Sequence, residues 1–236
     1  MVSKQDFLDA AFGDSQAVAN YAESPQLAFP GFADMQRMTT LLLAERVAND
    51  GRVLVVGAGG GLELKVFADA QPSWTFDGVD PSAAMLQLAE QTLGPLVSRV
   101  SLHEGKVDVT PDGPFDAATC ILTMHFADLE ERKRMLSSIR ERLKPNAPFV
   151  VVHLSFPQSD GARSVWLSRY AAYVTSSGVD PAKAAGAREA IDSHLTILDP
   201  EQDESLLREA GFSDVSLFYA GFAFRGWVSY AWQNER

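Results

Sequence analysis

The chain predicts an α/β fold built on a mostly parallel sheet, and three observations carry that prediction. Arg52-Val53-Leu54-Val55-Val56 runs into four glycines in five positions, Gly57, Gly59, Gly60 and Gly61, and then into a helical pattern with Leu62, Val66, Phe67 and Ala70 on one face. A continuous apolar run is expected of a parallel strand covered on both faces. Further apolar runs alternate with helical periodicity along the chain, as repeated β-α units require. Two adjacent strand patterns close it, Val215–Ala220 and Phe222–Tyr230, spaced as a hairpin.

In order, residues 3–22 read as a broken helix, interrupted at Gly13-Asp14. A helix over 32–47 follows Pro30-Gly31 and carries the stripe Phe32, Met35, Met38, Leu42 and Leu43. Core packing is the favoured role for Phe32, Met35 and Met38. Strand 52–57 leads to helix 61–71, strand 74–79, helix 82–92 and strand 99–104. Phe115 to Leu122 forms the next strand. Asp128 caps a helix to about Leu143, and Asn146 stands in the left-handed position after it. Phe149 to Leu154 is the fifth strand. Residues 159–195 are an insertion rich in helix formers, interrupted at Gly178, Pro181 and Gly186, with Trp166, Leu167, Tyr170 and Tyr173 at helical spacing. Asp199 caps a short helix from Pro200 to Ala210.

Composition bounds the function. The 236 residues and 46% hydrophobic content suit one large domain. The net charge of −11 disfavours broad attraction to phosphate backbones, so a nucleic-acid partner is not expected. Arg132-Lys133-Arg134, the densest basic patch, lies among glutamates and reads as a solvated helix face. No apolar run is long enough for a membrane span, and the start of the chain lacks a secretory core. The single Cys120 excludes an internal disulfide and reads as an inert buried thiol. No Cys/His cluster has zinc-like spacing, so no metal is expected. A cytoplasmic location follows.

The glycine turn is the ligand loop. Glycine permits positive φ and close approach of a ligand to the backbone, and the helix N-terminus offers N–H groups. The spacing at Gly57, Gly59 and Gly61 is G-x-G-x-G; Leu62 breaks the dinucleotide fingerprint, and no Lys follows to make a Walker loop. Asp80 ends the second strand, placed either to accept from two ribose hydroxyls or to cap the helix begun by Pro81 and Ser82. Met85, a turn further on, can lie over a purine. The end of the fourth strand, from Ile121 to His125 and Phe126, opens onto the cleft outside the carboxyl ends of the strands. His125 is the candidate catalytic base, with a backbone-bonded structural role as the alternative.

VLVVGAGGGLE, GVDPSAAML, PFDAATCILTMHF and RLKPNAPFVVV follow one another as they do in class I S-adenosylmethionine (SAM)-dependent methyltransferases, and the chain resembles that family over roughly residues 32–232. The resemblance implies a Rossmann-like seven-stranded, mostly parallel sheet. Residues 1–50 would form an N-terminal helical lid packed on the core, with Tyr21 and Phe29 as suited to the lid as to core packing, and 51–236 the SAM-binding domain with a helical insertion at about 159–195. It also implies SAM as cofactor and S-adenosylhomocysteine as product. Gly57, Ala58, Gly59 and Gly61 would hold the methionine part, and Asp80 the ribose. Asp108 would meet the adenine amino group, with an ordinary loop aspartate near Pro111-Asp112-Gly113 as the alternative, and Pro81, Met85, Val107 and Ile121 would join the cofactor site. The family usually has an acid two residues before the first glycine; Val55 stands there, so an anchor for the SAM amino group must come partly from elsewhere.

FPGFADMQRM, ILTMHFADLEERKRML and EAGFSDVSLFYAGFAFRGWV are similar to the carboxy-SAM synthase-like subgroup, which makes carboxy-SAM from SAM and prephenate and forms dimers. That subgroup carries an arginine ahead of the last short helix to pair with the added carboxylate. Here no arginine lies between Arg188 and Arg208, and the matching position is Thr196. The expectation is therefore methyl transfer from ordinary SAM to an O, N or C nucleophile of a small molecule. Carboxy-SAM synthesis and a non-catalytic SAM-binding regulator are the alternatives, and a homodimer is a further expectation.

Overall fold

The computed structural model describes residues 4–13, 18, 24–159 and 161–232. Tyr21 lies outside them. One seven-stranded sheet runs through the molecule: β1 (Arg52–Val56), β2 (Thr75–Asp80), β3 (Val100–Glu104), β4 (Ala117–Ile121), β5 (Pro148–Leu154), β6 (Phe212–Gly221) and β7 (Phe224–Ala231). Their spatial order is β3-β2-β1-β4-β5-β7-β6. β1 to β5 are parallel, and β7 inserts antiparallel between β5 and β6. The sheet divides the core in two. Val53 and Val55 of β1 belong to one apolar cluster, and Leu54 and Val56 to the other. That alternation is why β1 is apolar at every position from Val53 to Val56.

The helices are α1 (Lys4–Phe12), α2 (Ser24–Ala28), α3 (Phe32–Ala44), α4 (Leu62–Ala70), α5 (Ala83–Leu93), α6 (Leu129–Arg142), α7 (Ala162–Ser176), α8 (Pro181–His194) and α9 (Pro200–Glu209). Caps set several ends as the sequence predicts. Asp128 accepts from the Glu131 N–H at 2.8 Å, and Asp199 forms a capping box with Gln202. Asn146 takes φ 60°, and its N–H donates to Ala231 O.

Several expectations are corrected. The buried face of α4 is Glu63, Leu64, Phe67 and Ala68; Leu62 sits at its margin and Ala70 is exposed. Gly186 does not interrupt the insertion. It lies inside α8, where a hypothetical Cβ would meet nothing, while Pro181 occupies the first turn behind the Asp180 cap. Arg132 is not solvated. It is fully buried, its Nη1 3.0 Å from Asp203 Oδ1 on α9. Its Nε donates to Ala127 O and its Nη2 to Thr196 O. His153 Nε2 also lies 3.1 Å from Asp203 Oδ1, an ion-pair distance without hydrogen-bond alignment. Burial alone would push the Asp203 carboxyl up, but His153 and Arg132 outweigh it and hold it below its ordinary value. Among the described residues, no helix is long and apolar enough to cross a membrane, and no metal-binding cluster is found.

Candidate cofactor and acceptor site

At the carboxyl edge of β1 the chain turns on Gly57 (φ 76°), Gly59 (φ 50°) and Gly61 (φ 77°). The loop is laced to the end of β2. The N–H groups of Gly57 and Ala58 donate to Val79 O at 2.9 and 3.0 Å, and that of Gly59 donates to Asp80 Oδ2 at 3.0 Å. A Cβ at Gly57 would fall 1.9 Å from Thr123 Oγ1, so only glycine lets β1 and the end of β4 approach this closely. Gly61 serves helix packing instead. Its Cβ would meet Ala89 at 2.9 Å, so the missing side chain lets α4 and α5 come together. Gly61 is also the N-cap residue of α4, with no side chain satisfying that end.

Asp80 receives two backbone N–H groups, Gly59 on Oδ2 and Ser82 on Oδ1 at 2.9 Å. Burial pushes its carboxyl up, and these two hydrogen bonds pull it back. The cap of α5 is Ser82, which accepts from the Met85 N–H at 3.1 Å, so Asp80 does not serve as the cap. Beyond β4, Leu122 takes φ 54°, a strained conformation for a leucine, and turns Thr123 onto Gly57.

These residues open onto one cavity of about 1300 Å³ along the carboxyl ends of the strands. It runs from Gly105, beyond β3, past Asp80 and Gly57 to Ile121, then to Leu154 of β5 and Phe224 of β7. It therefore straddles the switch point between β1 and β4, where open α/β sheets take their ligands. Of the predicted site residues, Gly57, Gly59, Asp80, Pro81, Met85, Val107, Asp108, Ile121 and His125 line it. Ala58 and Gly61 do not. Ala58 is buried beneath the loop, where a Cβ on Gly78 would touch it at 3.0 Å. Phe12 of α1 meets Phe126 edge-on at 5.5 Å, and Phe29, after α2, also reaches the cavity wall while 1% exposed. Phe32, Met35 and Met38 stay off it.

His125 is buried, and its Nδ1 accepts from the Leu154 N–H at 3.4 Å. That bond assigns the ring proton to Nε2 and engages the lone pair that a base would use. Burial lowers its pKa well below the ordinary value, and the nearby His153 and Arg132 lower it further. The ring is thus a neutral hydrogen-bond donor. Cys120 is buried and burial pushes its thiol up, which keeps it unreactive.

Sequence reasoning missed Glu63. In the first turn of α4 it is buried, and Oε1 accepts from Thr119 Oγ1 at 3.4 Å. Thr119 is the register partner of Val55 across β1 and β4. An acid absent from position 55 is thereby present beside it, supplied by the helix. Burial raises its pKa well above the ordinary value; the Thr119 hydrogen bond opposes that, and Asp80 adds to it. A glutamate two residues past the last glycine, beside an apolar helix stripe, was the available signal.

A family model described as "Methyltransferase domain" matches residues 54–149. The chain is 26% identical over 235 residues to a carboxy-S-adenosyl-L-methionine synthase of Methylococcus capsulatus, covering 95% of each. It is 23% identical over 222 residues to that of Chromohalobacter salexigens, covering 92% of this chain and 82% of the relative. Its fold is similar to that of an O-methyltransferase family protein from Burkholderia thailandensis, with a TM-score of 0.70 at 16% identity, over 99% of this chain and 64% of that one. The chain spans 62%, 58% and 64% of the length of three such solved chains. The fold is similar to that of SAM-dependent methyltransferases, and the stretch that matches the methyltransferase model runs from β1 to the start of β5 and includes the glycine loop and Asp80. Its sequence is similar to the carboxy-SAM synthases, at the low identities just given.

Proposed function

We propose that this enzyme transfers the methyl group of SAM to an O, N or C nucleophile of a small molecule. The observation that supports this most is the continuity of the cavity. Its Asp80–Gly57 stretch suits a nucleoside and an amino acid, and it opens directly into an apolar chamber beyond Ile121. Its volume exceeds that of an ordinary single-ligand pocket and leaves room for cofactor and acceptor together.

The residues present fit the cofactor. Asp80 offers a carboxylate already oriented by two backbone N–H groups, with lone pairs left for two ribose hydroxyls. Met85 and Val107 are apolar and buried around the adenine position, with Asp108 at its rim. SAM, when bound, supplies an electrophilic methyl on a sulfonium. The protein's part is to hold acceptor and methyl in line, and such positioning is worth several kcal/mol, of the order of 7–11 in favourable cases. His125, as a neutral donor, orients an acceptor and does not deprotonate it.

Carboxy-SAM synthesis is the second reading, supported by the names of the relatives. Two observations weigh against it. Thr196 stands where an arginine is expected, and the donors of Arg132, which reaches Thr196 O, are engaged by Asp203, Ala127 and Thr196. An unpaired carboxylate there would be costly. Calorimetric titration of wild type and Asp80→Ala with SAM and S-adenosylhomocysteine tests the proposal. Micromolar binding, weakened at least tenfold by the substitution, or about 1.4 kcal/mol, is expected. No binding at millimolar ligand would overturn it. Mass spectrometry of any ligand retained through purification separates the readings, since carboxy-SAM carries an extra carboxyl group.

A further inference from the structure

The cavity is divided by charge. Asp80 ends β2, and Lys106 and Asp108 follow β3. Glu131 and Arg134 come from α6, and Lys106 Nζ holds Glu131 Oε1 at 2.5 Å, which fixes that pair at the β3 side. Asp9 belongs to α1, whose Phe12 O accepts from Ser82 Oγ beside Asp80. Every charged side chain on the wall, among the described residues, is therefore grouped around the β2–β3 half. Beyond Ile121 the wall comes from α2, β5, α7, α8 and β7, and it is uncharged.

That half is also rich in rings. Phe29 and Phe224 lie 4.6 Å apart between centroids, and Tyr170 is 6.2 Å from Phe224. Leu154, Ile191 and Leu195 complete the apolar surface. Its buried residues with polar side-chain groups are His125 and Tyr170, and the exposed Ser24 of α2 adds a hydroxyl. The chain as a whole carries −11, which opposes entry of anions.

We infer that this half selects an uncharged, ring-bearing molecule and rejects its carboxylate analogue. The inference rests on the methyl-transfer reading and narrows its acceptor. A flat ring gains offset or edge contacts with Phe29, Tyr170 and Phe224. A hydroxyl or carbonyl on it finds a neutral donor in His125. A carboxylate would lose its hydration with no cation to replace it. Burial and the neighbouring His153 and Arg132 keep His125 from becoming that cation.

Equilibrium dialysis of the full chain against 2-naphthol and 2-naphthoate, with and without saturating S-adenosylhomocysteine, tests this. The naphthol should bind at least tenfold more tightly in both conditions. Ala187→Arg, at a partly exposed position of the chamber wall on α8, should narrow or invert the preference; S-adenosylhomocysteine binding on the same sample reports that the variant is folded. Equal or tighter binding of wild type to naphthoate overturns the inference, as does failure of both probes at millimolar concentration. If S-adenosylhomocysteine fails to bind but the naphthol preference holds, the cofactor reading falls and the selectivity of the chamber stands.

Discussion

Replacing Glu63 by Gln should change how stability depends on pH. The carboxyl is buried against Thr119 and faces Asp80, and its folded pKa lies well above the ordinary value, chiefly through burial. In the unfolded chain it ionises near pH 4.3. Above that pH the unfolded chain has released the proton while the native chain retains it. Stability therefore falls as pH rises, until the buried group ionises. One retained proton corresponds to about 1.4 kcal/mol per pH unit. Gln has nearly the shape of the protonated acid, keeps an acceptor for Thr119, and does not titrate. The advantage of the variant should grow at that same slope, about 3–5 °C in Tm per pH unit for a chain of this size. Scanning calorimetry of both proteins from pH 4 to 8 measures it. A constant offset near pH 4 that widens above pH 5 is expected. Parallel Tm curves over the whole range would refute the assignment of Glu63 as a buried, protonated acid.

Three other substitutions and measurements follow from the geometry. Gly57→Ala drives a Cβ to 1.9 Å from Thr123 Oγ1 at φ 76° and should cost about 2–4 kcal/mol; adding Thr123→Ala should recover part of the loss in urea unfolding, with the positive-φ strain remaining. Arg132→Met leaves Asp203 buried without its guanidinium partner and should cost about 3–5 kcal/mol, whereas a surface substitution such as Lys133→Met should stay within about 0.5 kcal/mol. Nitrogen-resolved NMR should show His125 protonated at Nε2 and unchanged from pH 8 down to 5.5. Below about pH 6.5 the unfolded ring takes up a proton that the native ring refuses, so this residue lowers stability as pH falls. A His125 signal titrating near 6.5 would contradict its burial.

The parallel half of the sheet was legible because its signals are local. An apolar run and a glycine turn announce β1, and the acid that ends β2 is read from the same short stretch. The split between Gly57 and Gly61 was not legible, since it depends on Thr123 and Ala89, which lie 66 and 28 positions away. Glu63 and Arg132 were missed for a related reason. Charged residues on helices read as solvated unless their partners, Thr119 and Asp203, are known to face them from other elements. Tyr170 stood in an aromatic stripe that suits core and cavity alike; only the placement of α7 against β7 puts it on the chamber wall.

Phe29, near the start of the chain, stacks on Tyr219 at 4.9 Å and contacts Phe224, both in the terminal hairpin. The Tyr219 hydroxyl donates to Pro30 O and fastens the same junction. During synthesis, Gly57, Asp80 and Ile121 emerge long before Phe224 does. The parts that would hold a cofactor are thus made early, while the apolar chamber lacks its β7 side, and Phe29 its ring partners, until the hairpin arrives. A product that stops short of the hairpin lacks both Phe224 and the ring on which Phe29 stacks.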